Sequence, residues 1–304
     1  MDWMFYPGLN NPTRANEVCE ESGNHFREHA DLRKRVEDHL RARYEINDLV
    51  PQSLASLGSG HYFPFSESYN ELEGSLILAV FGFYRHAFVA LRTSMELSLV
   101  GVFYDRDDDS ASEIEQWIRS GERTPNFKKM IKALSSIRGY AAFCRASNFQ
   151  EILLHNYDNL GGFVHVRGYS YSSTRLWSSG VIGFSKDSLH GYIESFCEVA
   201  HSSVILMLLK YPIGMQALPL FAKFGLDSPA GGFLDVEARA AVLNILTEQE
   251  HTVLLAISNT DPDVRQVVES IEAMPDLTTE QVDQQSREWK NWKKTQQMLT
   301  EDNT

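Results

Sequence analysis

The stretch RHAFVALRTSMELSLVGVFYD, residues 85 to 105, sets two arginines, a histidine and a glutamate inside an otherwise apolar run that closes on an aspartate. On a single helix Arg85, Arg92 and Glu96 share a stripe, because steps of seven and four residues return close to the same face. A core face does not hold such groups without compensation. An unpaired charge in low dielectric is costly, so Arg92 and Glu96 are expected to pair with each other or with partners on another helix. The implied fold class is mainly α, a helical bundle with a buried polar network.

Two apolar runs frame that bundle, SLILAVFGFY at 75 to 84 and VILMLLKYPI at 204 to 213. Each is about half the ~20 residues that span a bilayer, and each runs into charge or proline at Arg85 or at Lys210 and Pro212. Both read as buried helices of a soluble protein, with no membrane partner. One long helix is expected from Tyr69 to Tyr104, with Gly74, Gly82 and Gly101 as weak points and Gly82 as a site of close packing or a bend. Residues 185 to 210 form the clearest other helix. Ser185 caps it, Leu189, Ile193, Phe196, Ala200, Val204 and Met207 repeat at helical spacing, and Pro212 stops it.

The rest divides into an N-terminal helical extension over 1–50, the bundle core over 65–212 and a small C-terminal module over 233–300. Residues 16 to 49 read as one amphipathic helix with Phe26, Leu32, Val36, Leu40 and Tyr44 on its stripe. SLGSGHYFPFSES, punctuated by Gly58, Gly60 and Pro64, reads as a loop. DRDDDSAS at 105 to 112 is a solvated acidic turn before a short helix anchored by Trp117 and ended by Gly121. A helix starting at Thr124 and Pro125 follows, then a helical pattern over 148 to 166 interrupted at Gly161 and Gly162. SYSSTRLWSSGVIGFS reads as a loop with room for a short hairpin. Gly214 to Gly232, with Pro219, Pro229 and paired glycines, reads as a mixed linker, and the division falls near 225 to 235. In the C-terminal module HTVLLAIS alternates like a strand, DPDVRQVVESIEAM is a capped helix, and Thr278 with Gln281 opens another, so this appendage is α/β or α. Trp289 and Trp292 are expected to dock on the body.

The 304 residues carry 28 basic and 41 acidic side chains, a net charge of -13 that disfavours broad binding to RNA or DNA. Cys19, Cys144 and Cys197 form no CxxC pair, which argues against a disulfide scaffold or thiolate zinc knuckle and for a reducing, cytoplasmic setting. The opening MDWMFYPGLN lacks the pattern of a secretory signal. No glycine loop of nucleotide-cradling type occurs, and Ser179 with Gly180 lacks the nucleophile-elbow setting, so no cofactor is expected.

The second chemically dense segment is LHNYDNLGGFVHVRG, from Leu154 to Gly168, with His155, Asn156, Tyr157, Asp158, Asn159, His165 and Arg167. Imidazole transfers protons near neutral pH, and a guanidinium or amide stabilises charge developing on phosphate or carbonyl oxygen. The bland alternative is that His165 satisfies a core hydrogen bond to Glu96 or Tyr157. His190, Cys197 and His201 fall near one helix face, with Glu194 or Glu198 as further donors, but a core role for Cys197 is preferred and no metal is assigned. Tyr169, Tyr171, Trp177 and Phe184 around Arg175 are read first as packing, ahead of base stacking.

On LRTSMELSL and YDNLGGFVH the chain resembles the HEPN-like helical families of bacteria, which include ribonuclease toxins and defence proteins, over roughly residues 69 to 211. The resemblance implies an arginine and glutamate one turn apart on one core helix, matching Arg92 and Glu96, and a tyrosine ahead of a histidine on another, matching Tyr157 and His165. Nuclease members of the superfamily carry an arginine ahead of that histidine with four to six residues intervening. Here Asn159 stands five intervening residues before His165, no arginine occupies 158 to 160, and Arg167 follows the histidine. Arg33 and His39 match the spacing by coincidence in a highly charged helix. The resemblance therefore implies a homodimeric protein with a degenerate nuclease motif and an interaction or antiviral defence role, with a protein partner. The competing readings are an active metal-independent ribonuclease using His165, Arg167 and Asn159 with Arg92 from the adjacent helix, and a small-molecule enzyme with a buried polar pocket.

Overall fold

A computed structural model describes residues 12–51, 61–105, 110–176, 182–225 and 231–301, with 12–13, 110–111 and 293–301 by backbone only. About 80% of the chain is helical and no strand occurs among the described residues, so the mainly α expectation holds. The helices are α1 Pro12–Glu28, α2 Ala30–Glu45, α3 Tyr62–Val80, α4 Tyr84–Tyr104, α5 Ser110–Ile118, α6 Phe127–Leu134, α7 Tyr140–Ser147, α8 Phe149–His165, α9 Ser173–Leu176, α10 Lys186–Lys210, α11 Leu220–Phe224, α12 Val236–Asn244, α13 Glu248–Thr260, α14 Pro262–Glu272 and α15 Thr279–Glu301.

The quoted stretch is α4, and it is the axis of the bundle, packed by α3, α10, α8 and α6. Leu91, Met95, Leu99 and Val100 are buried on it, facing a wall of α10 residues that includes Ile193, Phe196, Val204 and Leu208. By length and composition α4 and α10 are apolar enough to cross a membrane, and both are mostly buried within the structure. Their apolarity is thus consumed inside one chain.

The single helix expected from Tyr69 to Tyr104 is two. Gly82 adopts φ +79 between α3 and α4, and a Cβ there would lie 2.7 Å from the Gly183 carbonyl oxygen. A left-handed residue pressed against another backbone ends one helix and turns the chain into the next. Gly101 is a close approach, since a Cβ there would sit 2.7 Å from the Phe65 ring. α3 starts at Tyr62, inside the expected loop, because Pro64 stands in a first turn where no N–H is needed. Gly58 and Gly60 lie outside the described residues.

Other expectations are corrected by the same physics. The stretch 16 to 49 is two helices broken at His29, whose backbone leaves the helical region at φ -124 and ψ 75, then a 3-10 turn over Ile46–Leu49. α8 runs unbroken through Gly161 and Gly162. HTVLLAIS belongs to helix α13, fixed by a capping box in which Thr247 N–H donates to Glu250 Oε2 at 2.8 Å and Glu250 N–H to Thr247 Oγ1 at 3.2 Å. Its buried Leu254 and Ile257 stand three apart, a helical step that apparent alternation concealed. The hairpin region is a 3-10 turn over Tyr169–Tyr171 followed by α9. Trp177, Ser179, Gly180 and Pro229 lie outside the described residues, as do residues 106 to 109 of the acidic turn.

Capping expectations hold at Ser185, whose Oγ accepts from Ser188 N–H at 3.2 Å, and at Thr278, which exchanges bonds of 2.8 and 3.3 Å with Gln281. α12 packs on α2 and α13 on α7, so Val242, Leu254 and Ile257 join the same hydrophobic core as α4. Trp289 and Trp292 stack on each other at 4.8 Å and stay about half exposed.

A polar seam of serines runs between α3, α4 and α10, which sequence reasoning did not find. Ser68 Oγ meets Ser98 Oγ at 2.7 Å, Ser98 Oγ donates to Ser203 Oγ at 2.9 Å, and Ser203 Oγ donates to the Val199 carbonyl at 2.9 Å. Small hydroxyl side chains let three helices approach closely while each buried oxygen keeps a partner.

Gly82→Ala is expected to destabilise the fold by about 2 kcal/mol, from the left-handed strain and the blocked Gly183 contact. Urea unfolding followed by circular dichroism measures it, and a midpoint equal to the parent's refutes the account of the α3–α4 turn.

Candidate functional site

Arg92 is buried, and each of its three nitrogens donates one hydrogen bond. Nε and Nη2 donate to Glu96 Oε1 at 3.1 and 2.9 Å, and Nη1 donates to the Tyr157 carbonyl of α8. The guanidinium lies flat on the Tyr157 ring, 3.1 Å from its centroid, and Phe127 of α6 stacks on Tyr157 at 3.4 Å. Glu96 keeps about 36% of its side chain exposed, so the pair sits at the edge of the core. Burial pushes the Tyr157 phenol up and Arg92 opposes it, so Tyr157 is neutral at physiological pH.

Both α8 glycines make room for neighbours. A Cβ at Gly161 would lie 3.2 Å from Arg92 Nη1 and 3.8 Å from Arg167 Nη2, and a Cβ at Gly162 would run into the Tyr171 ring. Val166 takes a left-handed conformation, φ +47, at the end of α8. That reversal carries Arg167 back along the helix to Asp158, which its Nη1 meets at 2.6 Å. The hydrogen bond from Arg167 holds the Asp158 carboxyl below its ordinary range.

The expected residues therefore meet only in part. Arg92, Glu96 and Tyr157 form one cluster, and Arg167 with Asp158 flanks it across Gly161. Asn159 is half-buried. His165 is exposed in the last turn of α8, so the bland reading of it as a buried core histidine is corrected. Arg85 is half-buried, its Nε without a hydrogen-bond partner. The coincidental Arg33 and His39 go elsewhere, Arg33 to Glu37 at 3.5 Å and His39 Nδ1 to the Arg35 carbonyl at 2.8 Å.

The stripe of His190, Cys197 and His201 is dispersed. His190 Nε2 lies 2.8 Å from His25 Nε2, His201 Nε2 lies 3.2 Å from Glu250 Oε2, and Cys197 is buried with its thiol pushed up to about 12 by desolvation. A thiol held protonated in the core is a poor ligand and a poor nucleophile.

Arg43 is a second buried cation, which the sequence placed on a surface-lying helix. It is fully buried, donates to Asn47 Oδ1 at 2.6 Å and to the Phe65 carbonyl at 2.8 Å, and desolvation brings it down to about 10. It remains charged at neutral pH. Open clefts of about 370 Å³ beside Asp38, Arg41 and Glu237, and about 210 Å³ beside Pro219 and Arg239, involve neither Glu96 nor His165.

Compared with known proteins, the chain matches no family model, no curated protein and no solved structure.

Arg92→Ala is expected to cost about 2–3 kcal/mol, because it strips the Tyr157 carbonyl and leaves Glu96 without its cation at the core edge. His165→Ala is expected to stay within about 0.5 kcal/mol of the parent. Paired urea denaturation curves test both, and equal losses would refute the division between clamp and surface.

A pH dependence follows from His39. Burial lowers this imidazole below its ordinary 6.5, with His201 and Arg35 pushing the same way and the Arg35 carbonyl and Asp38 opposing. The unfolded chain then takes up the proton first, so this contribution is complete above about pH 6.5 and is lost as pH falls toward the folded-state value. The thermal midpoint is expected to be lower at pH 5.5 than at 7.5, and His39→Gln to narrow that gap. An unchanged gap in the variant refutes it.

Proposed function

We propose that this chain is a cytoplasmic HEPN-like helical protein with a degenerate nuclease motif, which works in antiviral defence by binding protein, including a second copy of itself. The observation that carries the non-catalytic part is the state of Arg92. It is 7% exposed with all three nitrogens engaged. An arginine that stabilises a phosphorane needs donors it can turn toward oxygen, and three of the five N–H groups of Arg92 are committed before any substrate arrives, with the guanidinium held between Glu96 and Tyr157.

The charges around α8 also balance. Arg92 faces Glu96 and Arg167 faces Asp158, so a phosphate entering between the guanidinium groups would displace a carboxylate from each. His165 is exposed and bonded to neither pair. The same helix and its exit carry exposed apolar side chains suited to a protein surface: Ile152, Leu154, Val164, Val166 and Tyr169, the last 67% exposed. The HEPN-like and defence elements rest on the resemblance of LRTSMELSL and YDNLGGFVH.

Labelled single-stranded RNA and tRNA incubated with purified protein, with and without EDTA, are expected to stay intact. RNA cleavage that His165→Ala abolishes in a folded variant would overturn this reading in favour of a metal-independent ribonuclease. Light scattering is expected to give a dimer mass, and a monomer across micromolar concentrations would remove self-association.

A further inference from the structure

Three potential metal donors, His25, Glu28 and His29, converge where α1 ends, and His190 of α10 reaches one of them. His25 and Glu28 lie in the last turn of α1, His29 follows at the break before α2, and His190 stands in the second turn of α10. His25 Nε2 and His190 Nε2 are 2.8 Å apart, although 165 positions separate the residues in sequence. The His25 ring centroid lies 4.1 Å from that of His29 and 5.0 Å from that of His190. Ligand atoms of His25, Glu28 and His29 fall within 4.8 Å of one another.

We propose that His25, His29 and His190, with Glu28 as a fourth donor, bind one divalent transition-metal ion of the zinc class.

The tautomers favour this. His29 Nδ1 lies 2.9 Å from the His25 carbonyl, an oxygen that only accepts, so Nδ1 carries the proton and Nε2 presents a lone pair. A ring nitrogen donating to a backbone carbonyl while its opposite nitrogen ligates is the usual way a metal-binding histidine is oriented. The contact between two Nε2 atoms leaves one proton for two aligned lone pairs. In a tetrahedral zinc site, bonds of about 2.0–2.1 Å place neighbouring nitrogens about 3.3 Å apart. The His25–His190 pair reaches that spacing by opening roughly half an ångström.

Packing fixes the His25 ring at this junction. His25 is 3% exposed, and its Nδ1 has no hydrogen-bond partner among the described residues. An ion held through Nε2 leaves this second nitrogen as it is, so Nδ1 marks a ring fixed by packing and is not the ligating atom. His190 and Glu28 are exposed, which gives an ion a path in. Three imidazoles and one carboxylate suit zinc, cobalt, nickel or copper, whereas magnesium and calcium favour all-oxygen sets. The bound ion would pin α1 to α10.

The test uses full-length untagged protein stripped with chelator and titrated with Zn²⁺, Co²⁺ and Mg²⁺ by calorimetry. One equivalent of zinc at micromolar affinity or tighter is expected, with cobalt giving the visible absorption of a tetrahedral site and magnesium giving no heat. His25 is buried and its replacement risks the fold, so the deciding variants are His190→Ala and His29→Ala, each checked by circular dichroism. Both are expected to weaken zinc tenfold or more, and His155→Ala, on an exposed face of α8, to leave it unchanged. Absence of stoichiometric zinc binding overturns the site, as does an affinity unchanged in either deciding variant.

Discussion

A guanidinium cannot shed its charge on entering a protein core, so whatever surrounds it must be built to receive it. Arg92 sets that constraint for the bundle. Its carboxylate lies one turn along the same helix, its carbonyl acceptor is lent by α8, and its flat face rests on Tyr157, itself backed by Phe127. Three helices, α4, α6 and α8, are thereby held by one side chain. The register continues down the crossing, where Phe88 and Phe163 stack at 4.1 Å with their rings nearly parallel. Gly161 costs α8 about 1 kcal/mol of helix propensity relative to alanine, and the space it leaves is where the guanidinium sits.

The other buried polar groups follow a different rule. Arg43 has no carboxylate partner among the described residues and relies on an amide and a carbonyl, and the serines of α3, α4 and α10 bond to one another and to backbone carbonyls. Neutral acceptors compensate a buried cation less fully than a carboxylate does, which is why Arg43 is brought down to about 10 while still charged. These networks specify which helices lie side by side, since a shifted register would strand hydroxyls and cations without partners.

What the sequence reveals depends on how local the physics is. The partnership of Arg92 with Glu96 is an i,i+4 step and was legible, as was α10, whose cap, stripe and stop all lie within one segment. Gly161 and Gly162 were misread as a break because the reason for them lies in Arg92 and Tyr171, not in α8. HTVLLAIS was misread because eight residues of mixed apolarity fit both periods, and the deciding capping box begins at Thr247, outside that window. The histidine cluster was illegible for the most basic reason. Its members look unremarkable until the fold removes a separation of 165 residues, and the residues that share a stripe with His190 along α10 find other partners, His201 pairing with Glu250.

Open and closed polar groups divide the molecule. Phosphoryl chemistry needs a cation with donors to spare and an acid or base within reach of the reacting oxygen. Along α8 the opposite arrangement holds, because the left-handed turn at Val166 brings Arg167 onto Asp158 and leaves the helix with matched charges and an isolated imidazole. At the junction of α1 with α10 valence is left unspent, with one buried imidazole nitrogen unpartnered and two Nε2 atoms sharing a proton. Arginine here is a structural material and histidine a ligand, so the fold places its free coordinating capacity away from the segment whose motif most resembles an active site.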